Sequence, residues 1–177
     1  MKSTPKTIKI ISLGQQNVGK TNLIKRFVEN KFFDNKIISC EINYKEIILN
    51  NKETVNVHLW DICYNERKYL LKPLKMQLNN LDGVLLIYDV NNKSTLEDLN
   101  NLLENIKGFL SDKIPIVLIG NKTDIKDAKY PVSYEEGKAF ADKNKLLNFY
   151  EVSAKENINV NDSFLSLIEK AYQTKFN

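Results

Sequence analysis

The amino-acid sequence predicts a three-layer α/β fold, in which helices cover both faces of a six-stranded, mostly parallel sheet. Two patterns lead to this prediction. Short apolar runs of strand length alternate with about five longer runs of helical periodicity, which is the order that a parallel, doubly wound sheet requires. One pair of strand-like runs is separated only by a polar turn at residues 50–52, which predicts a hairpin and one antiparallel edge strand.

The predicted strands are apolar or alternating runs that end in polar residues. They cover residues 7–13, 41–49, 54–60, 83–88, 114–119 and 147–152. In the third run every second residue is apolar, so one face of that strand should be buried and the other should be more exposed. The apolar residues of this run are Val55, Val57 and Leu59, and the residues between them are Asn56, His58 and Trp60.

The predicted helices follow from apolar residues at helical spacing and from capping residues. They cover residues 22–28, a weaker stretch at 66–80 that contains Pro73, residues 94–110, a run that begins at Ser133, and residues 159–176. Ser94 and Ser133 each precede a glutamate by three residues, so both are expected to cap their helices. The last helix should bury one face, formed by Val160, Phe164, Leu167, Ile168 and Ala171.

The length and composition indicate a single ordinary domain. The domain should span residues 1–177, with residues 1–6 as a short N-terminal extension. The formal net charge of +4 does not require a nucleic-acid partner. Only two cysteines occur and the N-terminus lacks the apolar core of a secretion signal, so we expect a cytoplasmic location. Because no cysteine stands near the C-terminus for prenylation, membrane contact of this chain should be indirect.

The junction of the first strand and the first helix carries a sequence that is typical of a phosphate-binding loop. Its residues are Gly14, Gln15, Gln16, Asn17, Val18, Gly19, Lys20 and Thr21. The glycines allow a tight bend that brings backbone N–H groups near an anion, and the helix directs its positive end at the same place. Lys20 should supply a charge between the outer phosphates, and Thr21 should offer a hydroxyl to Mg²⁺.

Three further polar groups follow predicted strands, at the edge of the sheet where α/β folds bind ligands. Asp61 follows the third strand. Residues 121–124, with the sequence Asn-Lys-Thr-Asp, follow the fifth strand, and residues 153–155, with the sequence Ser-Ala-Lys, follow the sixth. The sequence therefore predicts one site that combines these groups with the phosphate loop.

With these motifs in this order, the chain resembles the small GTPases of the Ras superfamily, closest to the Rab branch, from about residue 8 to residue 176. The resemblance implies the P-loop NTPase fold and the binding of GTP or GDP with Mg²⁺. In the family's N-K-x-D box, Asp124 would accept hydrogen bonds from the N1–H and the exocyclic amine of guanine. Lys122 would pack along the base, and Asn121 would brace the loops.

The resemblance also implies further contacts to the base. Ser153, Ala154 and Lys155 match the S-A-K box, in which the backbone N–H of Ala154 would donate to guanine O6. Phe32 stands where the family has an aromatic residue that covers the base from its edge.

The first switch, as the resemblance places it, keeps the metal ligands but departs from the family beside them. Thr21 and Ser39 would bind Mg²⁺ directly, and Asp61 would act through a water. Ser39 stands where the family has threonine, and Glu41 stands where relatives usually have glycine.

The second switch departs further, because relatives read D-T-A-G-Q-E where this chain reads D-I-C-Y-N-E from Asp61. Tyr64 replaces the glycine whose N–H contacts the γ-phosphate, and its side chain restricts the backbone there. Asn65 replaces the catalytic glutamine and is one methylene shorter, so the hydrolytic water should be poorly positioned. Gln16 replaces a small residue that faces the γ-phosphate and would modulate turnover. Arg67 and Arg26 are the only arginines available as an internal arginine finger.

Two functional classes remain open at this point. In the first, the chain is a Rab-like binding module with weak or absent hydrolysis, which acts through effector or scaffold proteins in trafficking. In the second, it is a fully cycling GTPase switch that a GTPase-activating protein accelerates and an exchange factor reloads. In either class, protein partners would bind the switch surface and could recruit the chain to membranes or cytoskeletal assemblies.

Overall fold

The computed structural model describes residues 6–35, 41–62, 80–125 and 131–177. Residues 66–79 of the helical stretch predicted at 66–80 lie outside the described residues, as do Cys40 and Cys63. In chain order the described elements are β1 (Lys6–Leu13), α1 (Lys20–Glu29), β2 (Ile42–Ile48), β3 (Thr54–Asp61), β4 (Gly83–Asp89), α2 (Lys93–Lys107), β5 (Ile116–Asn121), α3 (Tyr134–Lys143), β6 (Asn148–Glu151) and α4 (Val160–Phe176).

The six strands form one sheet in the order β2-β3-β1-β4-β5-β6. The pair β2–β3 is antiparallel, and the other neighbouring pairs are parallel. This confirms the predicted mostly parallel α/β sheet with one antiparallel edge strand. The first strand begins at Lys6, one residue earlier than the sequence predicts.

Helices cover both faces of the sheet and separate the core into two clusters. On one face α1 and α4 meet, and the rings of Phe27 and Phe164 stack with centroids 4.3 Å apart. On the other face α2 and α3 contribute buried residues such as Leu99, Leu103 and Phe140. The apolar face predicted for the last helix is confirmed, since each of its five residues is at most 1% exposed.

The two predicted helix caps had different outcomes. Ser133 caps α3 in a complete capping box with Glu136, as predicted. Ser94 is not a cap, because α2 begins one residue before it and Asn92 is the N-cap. The Asn92 side chain accepts hydrogen bonds from the backbone N–H of Ser94 at 3.2 Å and from its hydroxyl at 2.8 Å. Asparagine is as good a cap as serine, and the residue that stands in extended backbone takes the role.

No helix in the described part of the chain combines the length and the apolar character needed to cross a membrane.

Candidate nucleotide-binding site

The predicted site residues lie along one edge of the sheet, where the parallel strands end. Ser12, near the end of β1, lies opposite Asp61 at the end of β3. Asp89, at the end of β4, lies opposite Asn121 at the end of β5. The loop after β1 leads directly into α1, whose first residue is Lys20. The phosphate loop and the strand-end motifs are therefore neighbours in space.

The shape of the phosphate loop requires both of its glycines. Gly14 has a φ of +151°, and a Cβ there would lie 2.1 Å from the carbonyl oxygen of Ile87. Gly19 has a φ of +97°, and a Cβ there would lie 2.3 Å from the side-chain nitrogen of Asn121. Between the glycines, Asn17 has a φ of +69°, a conformation that asparagine tolerates better than most residues. Side chains at the two glycine positions would thus clash with β4 and with the last residue of β5.

Lys20 places a buried ammonium group inside this loop. It is 8% exposed and donates to the carbonyl oxygens of Gly14 at 2.8 Å and Gln15 at 2.7 Å. Among the described residues, no ion pair within 4.0 Å involves it. Burial lowers the pKa of Lys20 to about 8, although the charge of Asp61 opposes this shift. A buried cation that has only carbonyl partners favours an anion beside it.

The side-chain oxygens of Thr21 and Asp61 lie together next to Lys20, and both could contribute to binding a metal ion. The Thr21 hydroxyl donates to a carboxylate oxygen of Asp61 at 2.5 Å. Asp61 is 4% exposed, and burial raises its pKa above the usual value even though the Thr21 hydrogen bond and the Lys20 charge act in the opposite direction. A hydroxyl and one carboxylate fit Mg²⁺, which prefers few protein ligands together with phosphate and water. Ser39, the other predicted ligand, lies outside the described residues.

Asn121 joins the phosphate loop to the loop after β6. Its side-chain nitrogen donates to the carbonyl oxygen of Val18 at 2.9 Å, and its side-chain oxygen accepts from the backbone N–H of Ala154 at 3.2 Å. It is 1% exposed, so both hydrogen bonds are shielded from water. Asn121 therefore bonds to both loops, which is the geometry that the predicted bracing role requires. The Ala154 N–H, predicted to donate to a base, has an internal acceptor in this structure.

Asp124 and Ser153 form a second contact between the same loops. The Ser153 hydroxyl donates to a carboxylate oxygen of Asp124 at 2.6 Å and accepts from the backbone N–H of Glu156 at 3.0 Å. Ser153 also forms an isolated antiparallel bridge with Ile158, which closes the loop on itself. Ser153 is fully buried, whereas Asp124 is only partly buried. The arrangement leaves carboxylate capacity on Asp124 for a further donor.

Comparison with known proteins agrees with this geometry. The family model described as "Ras family" matches residues 9–173. The chain belongs to the Ras family. It is 30% identical to Ras-related protein Rab-21 of Mus musculus over 170 residues, which is 95% of this chain and 74% of that protein. It is 32% identical to RABE1d of Arabidopsis thaliana over 168 residues, 94% of this chain and 76% of the relative. It is 34% identical to RABA6b of the same plant over 167 residues, 93% of this chain and 71% of the relative.

Lys122 of this Rab-like protein has partners that the sequence analysis missed. Its ammonium lies 2.7 Å from a carboxylate oxygen of Asp89, and its carbonyl oxygen accepts from the side chain of Asn91 at 2.9 Å. The backbone N–H and the side chain of Asn91 also donate to Asp89, and Lys122 itself has a φ of +72°. Asp89 ends β4 at the ligand edge and Asn91 follows it closely, so the strand-end rule could have identified both.

Phe32 and Gln16, two further predicted site residues of this Rab-like protein, lie in the described part of the chain. Phe32 is partly buried and packs against the core cluster on the face of the sheet that α1 and α4 cover. Its loop is held by Asn22, which exchanges two hydrogen bonds of 3.0 Å with the backbone of Phe33. Gln16 is exposed on the phosphate loop. Tyr64, Asn65 and Arg67 lie outside the described residues.

Arg26, considered above as an internal arginine finger, points elsewhere. Its guanidinium donates to the carbonyl oxygens of Ala154 and Lys155 and to Asn30, so it is committed to loop contacts. It therefore cannot serve as a finger in this arrangement.

Proposed function

We propose that this Rab-like protein binds GTP and GDP with Mg²⁺, hydrolyses GTP very slowly, and acts through protein partners in trafficking or as a scaffold. The buried Lys20 carries the proposal, because within the described part of the chain its ammonium has only carbonyl partners, inside a glycine loop that begins a helix. Such a cation, inside a glycine loop and at a helix N-terminus, gains most from a phosphate.

Guanine selectivity is the second part of the proposal. The loop after β5 presents a carboxylate on Asp124. The N–H of Ala154 lies on the neighbouring loop, where it donates to the Asn121 side chain and would have to turn to guanine O6 on binding. An acceptor and a donor side by side complement guanine, which has two donors at N1 and N2 and an acceptor at O6. Adenine has the opposite polarity at its C6 position and lacks the N2 donor. Asn121 supports this arrangement because it ties the base loops to the phosphate loop.

Thr21 and Asp61 would hold Mg²⁺, which would neutralise charge on the outer phosphates. Slow hydrolysis is proposed from the sequence. Asn65 is shorter than the glutamine of relatives, and the exposed Gln16 stands on the phosphate loop. Because phosphoryl transfer depends mostly on positioning, a shorter side chain at the position that orients the water should lower the rate.

Partners would bind the predicted switch surface, formed by residues 39–44, Trp60 and residues 64–71. Within its described part, Tyr44 is 62% exposed and its ring meets that of His58 edge-on at 4.8 Å. The ammonium of Lys9 lies 4.2 Å from the centre of the Trp60 ring. A rigid aromatic residue with a large exposed surface is a typical anchor for a protein partner.

Nucleotide identity gives the first test. We expect guanine nucleotide in the purified protein after denaturation and chromatography, and tight binding of GTP and GDP, but not ATP, by calorimetry. Asp124→Asn should shift the preference towards xanthine nucleotides, whose 2-oxo group would face the new amide. Lys20→Ala should remove most of the affinity. Equal affinity for ATP and GTP in the unmodified protein would refute the proposal.

Turnover gives the second test. Intrinsic hydrolysis should be slower than roughly 10⁻⁴ s⁻¹, the order of unassisted small GTPases. The double variant Tyr64→Gly with Asn65→Gln should hydrolyse GTP faster if the rest of the site is sound. An ordinary rate in the unmodified protein would favour the fully cycling switch instead. If the rate is slow, partner affinity should differ little between the GTP and GDP forms.

A further inference from the structure

Lys25 ties the first helix to the beginning of β2 through its ammonium group. The ammonium lies 2.6 Å from a carboxylate oxygen of Glu41 and donates to the side-chain oxygen of Asn43 at 3.0 Å. A third acceptor is the carboxylate of Glu29, one turn further along the same helix, at 3.2 Å. Asn43 is 8% exposed, so its bond to Lys25 is shielded from water and is costly to break. One ammonium therefore holds the residue before β2 and a residue within it against α1.

The beginning of β2 is in turn bonded to the end of β3. The backbone N–H of Asp61 donates to the carbonyl oxygen of Glu41 at 3.0 Å. Thr21 precedes Lys25 by four residues on α1, so the two side chains lie on the same face of the helix. Because the Thr21 hydroxyl also donates to the Asp61 carboxylate, these contacts form a closed ring from α1 through β2 to β3 and back to α1. The two proposed metal-binding side chains and the Lys25–Glu41 ion pair are therefore parts of the same ring.

Glu41 can act on Asp61 through this ring or through its charge alone. Burial is the main cause that raises the pKa of Asp61, and among the weaker causes the charge of Glu41 raises it and that of Lys25 lowers it. If only charge mattered, removing the two charges would have opposite effects that cancel. If the ring matters, removing either charge opens it, and the two effects have the same sign and do not add.

The side chain of Glu41 is what distinguishes this ring from the family pattern. Relatives usually have glycine at this position, and glycine has no side chain that could pair with Lys25. The resemblance to small GTPases therefore supplies the metal-binding side chains but not the tie that holds them.

We propose that Lys25 and Glu41 are positioning residues, which hold β2 against α1 and thereby keep the Thr21 hydroxyl and the Asp61 carboxylate together for Mg²⁺. This inference rests on the proposed Mg²⁺-dependent binding of guanine nucleotides. It concerns the support of the metal-binding side chains and makes no use of the base.

The experiment follows the release of a fluorescent GDP analogue while Mg²⁺ is varied. The measured quantity is the Mg²⁺ midpoint, the concentration at which release is slowed by half of its full range. Glu41→Gln keeps the shape of the side chain and should raise the midpoint about threefold, the scale of a partly exposed ion pair. Lys25→Met should raise it about tenfold, because the buried oxygen of Asn43 also loses its donor. The double variant should match Lys25→Met alone, because that substitution already opens the ring.

Further measurements separate positioning from a general loss of structure. In EDTA, every variant should release GDP within about twofold of the rate of the unmodified protein, because the ring acts on the metal-binding side chains. Exchange of the Asp61 N–H with deuterium, followed by NMR, should be about threefold faster in Glu41→Gln, since this N–H bonds to the carbonyl of the released residue.

Two variants serve as controls. Glu29→Gln removes ion pairs near the end of α1 but leaves the tie to β2, so the Mg²⁺ midpoint should not change. Lys25→Arg keeps a charged donor, and its midpoint should stay within about twofold of that of the unmodified protein.

Each outcome decides a separate question. Opposite shifts of the midpoint in Glu41→Gln and Lys25→Met, with cancellation in the double variant, would show an effect of charge alone and overturn the proposal. An unchanged midpoint in Glu41→Gln, or equal acceleration of release with and without Mg²⁺, would also overturn it. Failure of the unmodified protein to bind GDP, or release that ignores Mg²⁺, would instead refute the proposed function. If Lys25→Met does not fold, Glu41→Gln and the exchange of the Asp61 N–H still decide between the ring and its absence.

Discussion

The base side and the first-switch side of the site are held together by different kinds of bond. On the base side, Asn121, Ala154 and Ser153 are at most 3% exposed and are linked by hydrogen bonds between amides, carbonyls and a hydroxyl. On the switch side, Lys25 of α1 forms an ion pair of 2.6 Å with Glu41, whose side chain is 45% exposed.

The difference has a direct energetic meaning. A buried hydrogen bond is costly to break, because a partner left unpaired loses its solvation as well. An exposed ion pair contributes little and is weakened by salt. The base side is therefore built to stay in one arrangement, whereas the described switch contacts can be exchanged at small cost. The variants below test this contrast, from the largest expected effect to the smallest.

Gly19→Ala should have the largest effect. Its Cβ would lie 2.3 Å from the Asn121 side chain, which is bonded on both sides and has little room to move. Together with the positive φ, this strain should cost about 3 kcal/mol, or roughly a hundredfold in GDP affinity by calorimetry. Gly108→Ala is the matched control, because no atom lies within 4 Å of the added methyl group. Near-normal affinity in Gly19→Ala would show that the loops can separate cheaply.

Asn121→Ala should destabilise the protein by about 2–3 kcal/mol, measured by chemical unfolding without added nucleotide. The substitution leaves the carbonyl of Val18 and the N–H of Ala154 unpaired in a buried place. Asn148→Ala, which removes an exposed hydrogen bond of 2.7 Å to Ser166, should change the free energy of unfolding by less than about 0.5 kcal/mol. Similar losses in both variants would contradict the contrast between buried and exposed bonds.

Tyr88→Phe tests an exception to the pairing of buried polar groups. Among the described residues, the Tyr88 hydroxyl is buried without a hydrogen-bond partner, and a Cβ at Gly120 or Gly137 would contact it at 2.7 Å or 2.5 Å. Removing this hydroxyl should stabilise the fold by about 1 kcal/mol. A loss of stability in thermal or chemical unfolding would mean that the hydroxyl has a partner in solution.

The same substitution should alter the response to alkaline pH. Burial raises the pKa of Tyr88 above its usual value of 10.0. The unfolded chain therefore loses the Tyr88 proton at a lower pH than the folded chain does. The contribution of protonated Tyr88 to the free energy of unfolding is complete below pH 10 and is lost as the pH rises above it. The advantage of Tyr88→Phe over the unmodified protein should grow above pH 10, and an unchanged difference would place Tyr88 in contact with solvent.

Glu41→Gln should have the smallest effect. It keeps the shape of the side chain and removes the ion pair with Lys25, whose pKa is raised first by its hydrogen bond to Glu41. We expect a loss below about 1 kcal/mol that shrinks further in high salt. Glu29→Gln removes the other ion pair of Lys25, together with that of Lys31, and leaves Glu41 in place, so it serves as the comparison. If Glu41→Gln lowered the free energy of unfolding as much as Asn121→Ala, the bonds on the two sides of the site would be equally costly to break.

The sequence was sufficient for the sheet and for most of the site because those features depend on local patterns. The alternation of Val55, Val57 and Leu59 predicted a buried face, and all three residues are at most 1% exposed. Ser133 and Glu136 satisfy a capping box within four residues of chain. Ser94 had the same spacing but failed, because Asn92, two residues earlier, is an equally good cap.

The contacts that sequence reasoning missed join residues far apart in the chain. Arg26 binds carbonyl oxygens 128 and 129 positions away, and backbone carbonyls leave no trace in a sequence. The sequence placed Lys122 after a predicted strand but did not single out Asp89, and their ion pair depends on the parallel register of β4 and β5. Strand-end position indicates which residues share an edge, and only the tertiary structure shows which of them bond.

The contact between Gly19 and Asn121 also limits how the sequence can evolve at these two positions. The space beside Gly19 is filled by the side chain of a residue that stands in another motif, more than one hundred positions along the chain. A mutation that enlarges residue 19 meets an obstacle that only a smaller residue 121 would remove, and that change would leave two buried backbone groups unpaired. A single substitution at either position is therefore expected to weaken the site, so descendants of this gene should keep the two residues together or change both.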